Sequence, residues 1–66
     1  MSVAKVIEIS ARSPESFEDA IEKGIAKAAT TVDNIRGAWV KEFNVDVEDG
    51  RVAAYRVDMK VTFVLN

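Results

Sequence analysis

Residues 47–65 read VEDGRVAAYRVDMKVTFVL, and the reading of the whole chain starts from them. The odd positions Ala53, Tyr55, Val57, Met59, Val61, Phe63 and Leu65 are apolar, while Arg56, Asp58, Lys60 and Thr62 alternate with them. That period of two is a strand over 52–65 with one face buried and one wet. Asp49-Gly50, just before it, is a strong hairpin signal, because both residue types tolerate the positive φ that a two-residue turn requires. Residues 37–47 are therefore expected to form the antiparallel partner. Their alternation is less regular, since Phe43, Val45 and Val47 share the phase of Trp39 and Lys41 while Val40 opposes it.

Toward the N-terminus, residues 3–11 alternate again, with Ile7, Ile9 and Ala11 on one side and Val6, Glu8 and Ser10 on the other. Ser13-Pro14-Glu15 then reads as a helix start: a hydroxyl to accept from the first turn, a proline suited to the first helical position, and an acid near the positive end. Phe17, Ala20, Ile21, Gly24, Ile25, Ala28, Val32 and Ile35 recur at steps of three and four, giving one packing stripe. Gly24 lies on that stripe, where glycine costs about 1 kcal/mol relative to alanine, so a close backbone approach is expected there. Asp33-Asn34 and Gly37 supply the helix end.

The order strand, helix, strand, strand defines an α+β domain over residues 1–66. With the long third strand central, the sheet is antiparallel in the order 1-3-2, and the helix covers one of its faces. The other face is left bare, with more apolar surface than one helix can cover, so contacts between copies are expected.

Size leads to the same expectation. A chain of 66 residues buries roughly 60% of its unfolded surface, and a core of that size hardly offsets chain entropy without further help. Cysteine and histidine are both absent, which removes disulfides, and no structural zinc site is expected. Oligomerisation is the remaining common solution. The net charge of −2 comes from scattered residues with no basic block, so no nucleic-acid partner is expected. Neither a leader peptide nor a membrane span is read near the N-terminus, and a cytoplasmic protein is expected.

Acid–base and nucleophilic schemes lack their two commonest groups, histidine and cysteine, so no enzymatic activity is expected. Glu15, Glu18, Asp19 and Glu22 suit the positive end of the helix, with an Asp19–Lys23 pair at spacing four. Asp46, Glu48 and Asp49 lack the ligand spacing of a calcium loop, and no metal site is assigned. Gly24, Gly37 and Gly50 are too scattered to cradle a phosphate. Two residues near the sheet carry more interest. Trp39, following Gly37 and Ala38, is placed either against a planar ligand or against a neighbouring subunit. Arg56 is on the polar face of the central strand, either solvated or within reach of an anion.

Ser13-Pro14-Glu15-Ser16-Phe17, Thr31-Val32-Asp33-Asn34, Tyr55-Arg56-Val57 and Met59-Lys60-Val61-Thr62-Phe63, in this order and spacing, resemble the dodecins over essentially the whole chain. The resemblance implies a βαββ subunit whose antiparallel sheet wraps round its helix, and a hollow homo-dodecamer of four trimers. It also implies a role in binding and storing flavin, such as flavin mononucleotide, stacked between tryptophans and held at the ring edge by a glutamine. Here the chain differs at both contact positions. Gly37 stands where the flavin-binding members carry tryptophan, and Arg56 replaces the glutamine. Trp39 shares the face of Gly37 but is displaced by about 6.5 to 7 Å along the strand. The expected ligand is thus flavin or another small planar molecule near Gly37, Trp39 and Arg56. The alternative is a structural or ion-binding shell that binds no flavin.

Overall fold

β1 (Val3–Ser13), α1 (Phe17–Ala28), β2 (Ile35–Glu48) and β3 (Arg51–Leu65) follow one another along the chain. The computed structural model describes residues 3–65; Met1, Ser2 and Asn66, which the sequence reading includes in the domain, lie outside the described residues. β3 is central and antiparallel to both neighbours, giving the order β1-β3-β2. Asp49 and Gly50 adopt φ of 51° and 74°, as a tight turn with two left-handed residues requires, and the hairpin closes between Glu48 and Arg51.

The core forms where the helix lies on β1 and β3. Val57, Met59 and Val61 of β3 are fully buried with Ala20 of α1, and Ile7, Ile9, Ala11, Phe17, Ile21 and Ile25 pack round them. At Gly24 the helix backbone comes close to the sheet. A methyl placed there would stand 2.9 Å from both Ala11 Cβ and Met59 Cε, well inside the usual 3.5–4.0 Å carbon contact. The close approach expected from sequence is therefore present, and its neighbours are strands of the same chain.

Three readings need correction. Ser13 is not the helix cap; it ends β1 opposite Tyr55 and is fully buried. Its hydroxyl accepts from the Glu15 N–H at 2.9 Å and donates to the Asp19 carboxylate. Ser16, with extended backbone, takes the cap and accepts from the Asp19 N–H at 2.9 Å. The helix also stops at Ala28 rather than running on towards Ile35. There the hydroxyls of Thr30 and Thr31 donate to the carbonyls of Lys27 and Ala28, and Asn34 turns the chain at φ 62°. Ile35 still packs on the core, but as the first residue of β2. Finally, Ala54 rather than Ala53 is the buried alanine of β3. It lies opposite Asp46, next to a slip in the β2–β3 register.

The hairpin reaches well past the helix, and the described residues extend 51 Å in their longest dimension. Phe43 and Val45 face the same side as Val57 and Tyr55, yet both are exposed. Phe17 at the head of the helix meets Phe43 and Tyr55 edge-on, at 4.9 and 5.1 Å between ring centroids, and this is as far as helix cover extends.

Candidate functional site

The face of the sheet turned away from the helix is set out in rows by the registers. Val6, Thr62 and Gly37 form one row; Glu8, Lys60 and Trp39 the next; then Ser10, Asp58 and Glu42; then Arg12, Arg56 and Asn44. A slip in β2 between Val40 and Glu42 keeps Trp39 and Glu42 on one face although they are an odd number apart, and another between Ile35 and Gly37 puts Ile35 on the core face and Gly37 on the bare one although they are two apart. This is why the alternation of β2 looked irregular in sequence.

Gly37 and Trp39 come together. With Arg36, Ala38 and Thr62 they line an open depression of about 380 Å³. A methyl built at Gly37 would meet no atom within 4 Å. Trp39 leaves 64% of its surface exposed beside that space. An indole bare to water on a sheet face offers a stacking platform, at a cost in apolar exposure that a ligand or a second copy removes.

Arg56 is on the same face but not in that depression. It is four residues along β3 from the partner of Trp39, roughly 13 Å at ordinary strand rise. There it lies 3.7 Å from Asp46, whose carboxylate also accepts from Arg12 Nε at 2.8 Å. The hydrogen bond from Arg12, reinforced by the charge of Arg56, holds the Asp46 carboxyl below the usual aspartate range. Asp46 is therefore committed to two guanidinium groups.

Arg36 is the lining residue that the sequence reading missed. Its signal was present: an arginine immediately before the glycine that opens the space. A regular alternation gives no reason to place it there, because its position depends on the slip that makes it an extra residue in the ladder.

The pair expected between Asp19 and Lys23 at the helix start is present. Asp19 pairs with Lys23 at 3.0 Å, and its carboxyl is lowered chiefly by the Ser13 hydroxyl and then by Lys23. Among the described residues no group of three acidic, histidine or cysteine side chains is placed to hold a metal ion. Nor is any helix long and apolar enough to cross a membrane.

Comparison with known proteins gives the same fold. The family model described as Dodecin matches residues 3–66. A protein named calcium dodecin, from Mycobacterium tuberculosis, is 40% identical over 63 residues, covering 96% of this chain and 89% of its own. The solved dodecin from Streptomyces davaonensis superposes with a TM-score of 0.94 at 35% identity, over 98% of this chain and 96% of its own. The crystal structure of the M. tuberculosis calcium dodecin, described as having a novel calcium-binding site, superposes with a TM-score of 0.84 at 38% identity, over 98% and 93%.

Proposed function

The chain belongs to the dodecin family, and from that membership we propose that it is the subunit of a closed homo-oligomeric shell, a dodecamer, that binds and stores a small planar molecule of flavin type. The observation that carries this reading is the pairing of an exposed indole with an empty space at Gly37 on the uncovered sheet face. The depression is open, so a ring laid on Trp39 has protein on one side only. A symmetry-related copy supplies the second side, which makes the pocket a property of the assembly. Exposed Phe43, Val45, Val47 and Val52 at the hairpin end give the apolar contact that such an assembly needs. No step of this role requires catalysis.

Titration with flavin mononucleotide, following quenching of both flavin and Trp39 fluorescence, tests the reading. Trp39 is the chain's one tryptophan, so its signal is unambiguous. The reading predicts mutual quenching, loss of binding in Trp39→Ala, and an unchanged assembly in that variant. No quenching at high micromolar ligand contradicts it.

A second reading is a cation-binding shell, favoured by the name of the relative 40% identical to this chain. Glu42 and Asp58 stand opposite one another on the bare face, and neither makes a salt bridge among the described residues. Facing like charges are unfavourable unless a cation lies between them. Two carboxylates are too few for calcium, which takes 6–8 oxygens, so the site in this reading is completed by another copy. It predicts calcium binding by calorimetry that is lost in Asp58→Asn, no flavin binding, and weakened assembly in Trp39→Ala.

A further inference from the structure

Arg36 occupies an irregular position in β2. In β2 the pairing steps from Ile35 with Phe63 to Gly37 with Thr62, so Arg36 has no partner of its own in the ladder. An inserted residue of this kind re-aims a side chain that regular alternation would have sent elsewhere. Arg36 is exposed and lines the depression with Gly37, Trp39 and Thr62.

Several of the chain's other cations are already held by acids. Arg12 and Arg56 share Asp46, Lys41 reaches Glu8 at 3.5 Å, and Lys23 is held by Asp19. Arg36 makes no salt bridge with any described residue. An uncommitted guanidinium thus borders a space that contains an exposed indole and, at Thr62, a hydroxyl. Its planar fork of N–H donors matches the oxygens of a phosphate in two parallel bonds. Lys60, across from Trp39 in the register, adds positive charge to the same region. Glu8 in the same row is engaged by Lys41, which limits its opposition to an anion.

We infer that the ligand of the Gly37–Trp39 surface carries a phosphate monoester and that Arg36 binds that group while the planar part lies on Trp39. This inference rests on the planar-ligand reading and goes further, since it selects among planar ligands by charge. It also gives the anion contact, which the sequence left open at Arg56 between a solvated side chain and one reaching an anion, to a residue on the depression itself.

Calorimetric titration of the assembled protein with flavin mononucleotide and with riboflavin, which share the ring and differ in the phosphate, tests it. Flavin mononucleotide is expected to bind about ten- to a hundredfold more tightly at low salt, as a charge-assisted contact implies. Arg36→Gln removes that difference while leaving riboflavin affinity in place, and Arg36→Lys retains part of it. Arg51→Gln, which removes the same charge beside the hairpin turn, preserves the difference. Equal binding of the two compounds to the unaltered protein, or a preference that survives in Arg36→Gln, overturns the inference and leaves the planar-ligand reading standing. Absence of binding by both overturns the two together. Mass and circular dichroism of each variant establish that the same assembly is compared.

Discussion

Replacing Gly24 with alanine sets two effects against each other. Alanine in a helix interior is favoured over glycine by about 1 kcal/mol, so on an open helix face the change stabilises. Here the new methyl meets Ala11 Cβ and Met59 Cε at 2.9 Å and Ile9 Cδ1 at 3.7 Å. The Met59 contact can be relieved, because a terminal methyl swings about flexible torsions. The Ala11 contact cannot, because that atom is fixed to the backbone of β1, and relief requires the helix to lift from the sheet. Overpacking of this kind costs about 1–3 kcal/mol, and a rigid neighbour places it in the upper part of that range. Net destabilisation of about 1–2 kcal/mol follows from the two magnitudes. Urea denaturation followed by circular dichroism measures it, at equal protomer concentration because assembly contributes to apparent stability. The double variant Ala11→Gly/Gly24→Ala removes the rigid contact, and a double-mutant cycle should then show favourable coupling of about 1 kcal/mol. A Gly24→Ala protein as stable as the original, or no coupling with Ala11, refutes the reasoning.

Ser13→Ala removes the fully buried hydroxyl that links the end of β1 to the helix start; a loss of about 1–2 kcal/mol is expected in the same denaturation assay. Gly37→Ala has opposite consequences for fold and ligand. Nothing lies within 4 Å of the added methyl, so stability stays the same or rises by up to about 1 kcal/mol. Flavin affinity falls, which calorimetry reads directly. Stability also falls in acid. Asp19 and Asp46 are held below the ordinary 3.8 of aspartate, so their contributions are complete above that value and disappear as pH drops through the lower folded-state values. Denaturation midpoints should be level near neutrality and decline below pH 3.8, less steeply in Asp19→Asn and less steeply at high salt.

The parts of the fold that were legible are those where one physical rule acted alone. Alternation gave the buried face of β3 from Val57 to Val61, failing only at Ala54 beside the register slip, and Asp49-Gly50 gave the turn, because no tertiary contact competed with either. Gly24 was legible through its cost, which only a close approach explains. The helix start was misplaced because two serines three residues apart both suit a cap. Ser13 is claimed by the sheet ladder opposite Tyr55, a contact distant in sequence, which leaves Ser16 as the cap. The helix end was overestimated because Val32 and Ile35 continue the apolar stripe, whereas threonine hydroxyls bonded to the last carbonyls and a left-handed Asn34 end it.

The candidate site was legible in part for a related reason. Gly37 and Trp39 are two apart in one strand, so period two alone places them together. Arg56 belongs to another strand, and its distance from Trp39 is set by register, which composition does not reveal. Arg36 was hidden for the same cause, since a slip in the ladder is visible only once the partner strand is in place.

Light scattering on the purified protein across a dilution series tests the central claim most directly. Neighbouring copies, in this account, cover the surface that one chain leaves bare, and the mass should remain about twelve times the 7.3 kDa of the chain at every concentration where the protein stays folded. A folded species of 7.3 kDa contradicts the account.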